Sequence, residues 1–335
     1  MEHLAVELLE HIFTMACTDG GFTGCSLSLV SKHVRAASQT ARFHSIALAS
    51  GSPPQVAQFT ACLTTARAES TGTTPRVRHL FLVSAKRTIE LQSRPKDEDD
   101  TERLKYIADV TELLRIIAPK LYTFCVIHGH RPLSQELHVP FAGIRCPLLR
   151  EFTLVGSGRI DGSLATGPSP NYPSLTRVHL WFCGLGHTMG VHVRFPQLWT
   201  EHAPHVTHLR ISNLGYLASD VIHPIKALAL ESEDICSLPA LKRLVVQPAP
   251  GPAPGGRCGN PYTAYGRFLG NLQEMRHQAK RPFALVEAGE RMSDFEGPAM
   301  REWLDRVGGG PGCWEFEAFG GEEIPLRSCT PRAGS

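Results

Sequence analysis

Apolar residues recur every three to four positions near the start of the chain. Leu8, Leu9, Ile12, Phe13 and Ala16 fall on one face of a helix. Leu27, Val30, Val34 and Ala37 repeat the arrangement, while Lys32, His33 and Arg35 turn to the other side. Gly20, Gly21 and Gly24 sit between the two segments and break any continuous helix. Two short amphipathic helices hold too little core to stand alone, so they must pack on the rest of the chain or on a partner.

A third helical face follows a Pro53-Pro54 start, carried by Val56, Phe59, Leu63 and Ala66. The pattern then becomes extended. A proline followed by apolar residues at the second, fifth and seventh positions occurs six times. The units are Pro75 with Val77, Leu80 and Leu82; Pro119 with Leu121, Phe124 and Val126; and Pro147 with Leu149, Phe152 and Leu154. They continue as Pro173 with Leu175, Val178 and Leu180; Pro204 with Val206, Leu209 and Ile211; and Pro239 with Leu241, Leu244 and Val246. With 25 prolines and 42% apolar residues, chance alone gives roughly two such matches. The second and third apolar positions are two apart and share one face of a strand, and the first packs the turn before it. Each unit is one strand plus a connection.

The connections vary, because the repeat prolines lie 26 to 44 residues apart. Arg94 to Glu102 is a mostly acidic run that reads as a solvated loop or helix start. The helix after it places Leu104, Ile107, Ala108, Leu114 and Ala118 on one side. Gln247 to Gly256 is a Pro/Gly linker that ends the array. Beyond it, Tyr265, Phe268, Leu269 and Leu272 predict a helix, PFALVEA a strand and MREWLDRV a last helix closed by Gly308, Gly309 and Gly310. The expected organisation is α/β: a helical module at 1–50, a helical linker at 51–74, a repeat array at 75–247, a linker at 248–260, a strand-helix cap at 261–319 and a frayed tail at 320–335.

Composition narrows the function. Thirty-four basic residues against 32 acidic ones leave a net charge of +2, which provides no field for nucleic acid or an anionic membrane. No window approaches 18 uninterrupted apolar residues, and Met1-Glu2-His3 does not begin a secretory signal. A cytoplasmic or nuclear protein is expected. The ten cysteines include no C-x-x-C pair and serve as small buried apolar groups in a reducing compartment.

No reaction centre emerges from the motifs. His202, His205 and His208 are spaced H-x-x-H-x-x-H, but in an extended segment they do not converge on one ion, and no metal or cofactor is expected there. His128 and His130 read as turn residues. Gly156-Ser-Gly158, Gly184-Leu-Gly186 and the glycines at 308–312 lack the spacing of a phosphate-binding loop. No G-x-S-x-G, H-E-x-x-H or kinase set appears. The four tryptophans read as core or cap residues, Trp181 lying where a binding surface could form.

Two resemblances give these patterns a functional sense. Leu4, Val6, Glu7, Leu8, Leu9, Ile12 and Phe13, then Leu27, Leu29, Val30, Val34 and Phe43, resemble an F-box, with Ala5 where that family usually has Pro and Val34 where it often has Trp. The resemblance implies docking on the Skp adaptor of a cullin-RING ubiquitin ligase, with Leu4, Val6, Leu8, Leu9, Ile12, Phe13, Leu29, Val30 and Val34 as adaptor-binding residues. Leu175, Val178, Leu180, Cys183 and Leu185 fit the pattern of a leucine-rich repeat, the equivalent slot being Ala85, Gly129, Ser157, Leu214 and Ala249 in the other units. The chain therefore resembles an F-box protein with an irregular leucine-rich-repeat solenoid, and its closing REWLDR segment before GG-x-GCW is similar to divergent F-box-like proteins of mushroom-forming fungi. Such a chain recruits a target protein, bound through outward strand residues, and catalyses nothing itself. A repeat scaffold with no ubiquitin role, its N-terminal helices serving only as a cap, is the alternative. An enzyme would require a cleft holding a coupled acid and base.

Overall fold

The computed structural model describes residues 4–48, 53–69, 74–83, 96–127, 144–156, 170–182, 195–217, 219–231, 238–252, 261–289 and 294–315. Cys183, Leu185, Ala85, Gly129, Ser157, His128, His130, Gly158, Gly184, Gly186 and the tail 320–335 lie outside them. Helices α1 (Val6–Ala16), α2 (Phe22–Val30) and α3 (Lys32–Ala37) lead into strand β1 (Ser45–Leu48). The chain continues through α4 (Pro53–Ala68), β2 (His79–Val83), α5 (Lys96–Ile117), β3 (Thr123–Ile127), β4 (Glu151–Val155) and β5 (Arg177–Trp181). It ends with α6 (Phe195–His202), β6 (His208–Leu214), α7 (Ser219–Leu230), β7 (Arg243–Pro248), α8 (Pro261–Gln278), β8 (Phe283–Leu285), α9 (Glu296–Val307) and a short 3-10 turn (Gly312–Trp314).

All eight strands form one sheet in which every neighbour is parallel and spatial order equals chain order. The six proline-anchored units are β2 to β7. Their fifth positions line up across the sheet as Leu80, Phe124, Phe152, Val178, Leu209 and Leu244, and their seventh as Leu82, Val126, Leu154, Leu180, Ile211 and Val246. All twelve are buried, and so are the six turn-packing residues Val77, Leu121, Leu149, Leu175, Val206 and Leu241. The motif thus fixes register as well as strand position, since a one-residue slip would turn each unit's apolar pair to the opposite face.

That inward face meets a core built with residues of α4 (Val56, Leu63), α5 (Val110, Leu113, Ile117), α6 (Trp199), α7 (Ile225, Leu228) and α8 (Phe268, Leu272). Of the stripe expected on α5, Leu114 and Ala118 are buried and Ile107 is half-buried, but Leu104 and Ala108 are exposed, and Tyr106, Val110, Leu113 and Ile117 complete the buried face. Tertiary packing selects the stripe nearest the sheet.

The outward face is the larger surprise. Phe81, Val83, Cys125, Ile127, Val155 and Trp181 are buried there beneath α9, whose Ala299, Trp303 and Val307 complete a second core with Phe295, Met300 and Leu304. The Phe81 and Trp303 rings lie 5.6 Å apart, and Trp181 meets Phe295 edge to face at 6.0 Å. Outward residues of β2 to β5, expected as a free binding surface, are therefore covered by the chain itself. A parallel sheet favours this arrangement, because near-continuous apolar strands need cover on both faces. The segment 261–319 divides accordingly: β8 extends the sheet beside β7, whereas α9 returns across its opposite face.

At the other edge, Gly20 and Gly21 adopt φ of 79° and 107°, which only glycine takes at little cost. Their turn covers β1, with Ala47 N donating to the Gly20 carbonyl at 2.9 Å and Gly20 N donating to Ser45 Oγ at 3.0 Å. Gly24, expected to interrupt the helices, lies inside α2. A Cβ there would come within 2.1 Å of the Arg42 carbonyl oxygen, so glycine is required by close packing. Gly20 and Gly21 separate α1 from α2 as expected, and a second break falls at Ser31, whose backbone is extended and whose Oγ caps α3 by accepting from Val34 N at 3.1 Å.

Candidate functional site

Two places depart from a closed, satisfied fold. The first is the N-terminal module. Leu9 and Phe13 of α1 pack with Val34, Ala37 and Ala41 into a small core of their own, with Leu27 against it. Its neighbours on α1 and α2 are left outside. Leu4, Val6, Leu8, Ile12, Met15, Phe22, Leu29 and Val30 are all exposed, Leu29 at 81% and Phe22 at 80%. Only Leu104, Leu217 and Tyr262 are exposed large apolar residues elsewhere among the described residues. Such a concentration is of the kind that interaction surfaces carry, unlike scattered surface leucines.

Geometry explains the split. Leu9 and Phe13, four apart, face the module core. Leu8, Ile12 and Met15, spaced by four and three, form a second stripe on the same helix. Six of the nine expected adaptor-binding residues are thus outward: Leu4, Val6, Leu8, Ile12, Leu29 and Val30. The other three, Leu9, Phe13 and Val34, are at most 7% exposed and serve the module's own core, so they are not available to a partner. Met15 and Phe22 extend the exposed face. Met15 was legible as the continuation of the Leu8 and Ile12 spacing, whereas Phe22 had no periodic signal.

The second place is a polar cluster under α9. Glu151, the first residue of β4, is buried and receives Arg306 Nη2 at 2.9 Å and Nε at 3.0 Å on Oε2, and Trp314 Nε1 at 2.8 Å on Oε1. Arg177 stands 3.8 Å away. Two residues further along the strands, on the same face, His179 lies beside Arg210. His179 Nε2 and Ser212 Oγ are 3.0 Å apart, and Arg210 Nε donates to the same Oγ at 3.0 Å. Arg210 Nη1 donates to the Cys313 carbonyl and Nη2 reaches Gln247 Oε1 at 3.4 Å. His179 Nδ1 makes no hydrogen bond and lies 3.9 Å from Glu302 Oε2.

Burial sets the charges here. Burial holds His179 well below the usual imidazole range, and the nearby Arg210 adds to this, so the ring is neutral. Burial pushes Glu302 up to about 7, with Glu151 adding to the rise and Arg210 and Arg301 opposing it. The Cys125 and Cys313 thiols are likewise pushed upward by burial and are not reactive thiolates.

Ser212, His179 and Glu302 follow one another as nucleophile, base and acid would, but the arrangement does not suit acyl transfer. Ser212 and His179 are each 1% exposed, and the adjoining cavity, lined by Cys125, Glu151, Glu302 and Cys313, is about 20 Å³, room for a single water. No substrate reaches the hydroxyl. The cluster instead joins β4, β5 and β6 to α9 and the turn after it. No sequence signal pointed to it, because its members lie up to 163 residues apart.

His202, His205 and His208 do not converge: His202 is buried at the end of α6, His205 is exposed, and His208 opens β6 beside Trp314. No helix among the described residues is long and apolar enough to cross a membrane. Compared with models of protein families, with curated proteins and with solved structures, the chain matches none.

Proposed function

We propose that the chain is the substrate-recruiting subunit of an SCF-type cullin-RING ubiquitin ligase. Its N-terminal module acts as an F-box and binds a Skp-type adaptor, through it a cullin, and the following parallel sheet with its helices is an irregular leucine-rich-repeat solenoid that holds a target protein. The chain catalyses nothing; it raises the concentration of target lysines near a conjugating enzyme carried by its partners. The observation that supports this reading most is the exposed apolar face of α1 and α2, on a module whose own core is already closed without it. A mere cap would turn such residues inward and present a polar outer surface.

The test is co-expression of the full chain with a Skp-type adaptor and capture of one by the other. Wild type should be retained, and Ile12→Asp or Leu8→Asp should lose retention, because the carboxylate would be desolvated without a partner. A folded wild-type chain that captures no adaptor would overturn the reading, and so would undiminished capture by both variants.

A further inference from the structure

We propose that His179, Glu302 and Cys313 form a zinc site that pins α9 and its following turn to the sheet. Three separate elements bring these residues together, β5, α9 and the 3-10 turn, and their donor atoms all lie within 4.8 Å of one another. No other group of this kind occurs among the described residues. The second, independent observation is His179 Nδ1, a ring nitrogen on a residue 1% exposed that has no hydrogen-bond partner and lies 3.9 Å from the Glu302 carboxylate. Leaving a buried acceptor or donor unmade is costly, and an ion would satisfy it.

The donor set selects the metal. One imidazole nitrogen, one sulfur and one carboxylate oxygen suit zinc, whereas calcium and magnesium require oxygen alone. Zinc bonds of about 2.0 to 2.3 Å place tetrahedral ligands roughly 3.3 to 3.8 Å apart. The donors must therefore draw in by up to about 1 Å, to which the Glu302 side chain, a third exposed and with its Oε2 already 3.9 Å from His179 Nδ1, is free to contribute. Ser212 Oγ stands 3.0 Å from the opposite ring nitrogen, and in the tautomer that carries the proton on Nε2 the ring donates to Ser212 and leaves on Nδ1 the lone pair that a metal takes. The neighbouring cavity of about 20 Å³ has room for one water as fourth ligand.

The charges agree with this role. A thiolate and a carboxylate neutralise a divalent cation, so the three together are cheaper to bury than either anion alone. Arg210 repels the ion but also favours the anionic forms of Glu302 and Cys313, and its own hydrogen bonds go to Ser212, Gln247 and the Cys313 carbonyl. The site is structural, since no substrate reaches it, and it does not depend on the ligase reading.

Elemental analysis of the purified full chain, with cobalt substitution, tests the site. About one zinc per chain is expected, and the cobalt form should show a sulfur-to-cobalt charge-transfer band that Cys313→Ser abolishes. A strong chelator should lower the melting temperature of wild type and leave that of Cys313→Ser unmoved. A folded wild-type chain with no bound zinc and no such band would overturn the proposal, as would a full band in Cys313→Ser. If that variant fails to fold, the metal content and chelator response of the wild type decide alone.

Discussion

Arg306 of α9 clasps Glu151 of β4 across 155 residues of chain, with two of its nitrogens within 3.0 Å of the same carboxylate oxygen. Its third nitrogen donates to the Gly310 carbonyl at 2.5 Å, so one guanidinium closes the helix end and docks it on the sheet. Arg177, at 3.8 Å, does not match this geometry.

Arg306→Ala leaves the Glu151 carboxylate buried with only Trp314 and the distant Arg177 for company. Removing one partner of such a pair should cost about 3 kcal/mol. Urea unfolding of the variant would measure it, and a loss below about 1 kcal/mol, the value typical of exposed pairs, would mean that the clasp adds little.

Trp303→Ala removes the centre of the second core. Trp303 is 5% exposed and stands over Phe81, and truncating a tryptophan in such a place costs roughly 3–5 kcal/mol. Limited proteolysis should then cut near α9 before any site in β2 to β7. Uniform digestion of the sheet and α9 together would show that the strap does not open separately.

The two stripes of α1 predict opposite responses. Leu9→Ala should destabilise the module by about 2–5 kcal/mol, since Leu9 is 2% exposed. Ile12→Ala, on the exposed stripe at 45%, should change stability by no more than about 0.5 kcal/mol. Thermal melts of both variants, without any partner present, would reveal a mistaken assignment if the order were reversed.

His44 and His79, with rings 4.9 Å apart, should give the protein an acid-sensitive edge at β1 and β2. Burial, reinforced by Arg78, holds His44 down to about 4, and burial, reinforced by His44 and then Arg78, holds His79 to about 3, against an ordinary 6.5. The unfolded chain therefore binds more protons than the native one between those values, so stability contributed by the neutral rings is present above pH 6.5 and lost as pH falls toward 3. Urea midpoints at pH 7 and pH 4 should differ less in a His44→Gln His79→Gln double variant than in wild type. An equal difference would place the acid sensitivity elsewhere.

Much of the sheet was readable in advance because the repeat carries its register with it: each proline marks a turn, and the apolar pair two residues apart can face only one way. The helices α4, α8 and α9 were readable from their periodicity, and β8 from its apolar run. Strand β1 was missed because Ser45 to Leu48 lacks the proline anchor, α6 because Phe195 to His202 is too short for an extended stripe, and α7 because Pro224 lies inside it, where proline ordinarily breaks a helix. Leu9 and Leu8 could not be separated by pattern, since adjacent leucines satisfy the same helical template until packing assigns one inward. The polar cluster was invisible for a different reason. Glu151, His179, Arg210 and Cys313 meet only through tertiary contacts, and no local spacing encodes a contact between residues so distant in sequence.

Because spatial order in the sheet equals chain order, every strand after β1 finds a neighbour already made as it emerges from the ribosome. Synthesis can thus extend the sheet one unit at a time, each addition closing a short loop rather than a long one. Helix α9 is the exception. It is made after the last strand yet covers Phe81 and Val83 of the second, so until translation reaches it the nascent chain holds an apolar sheet face open.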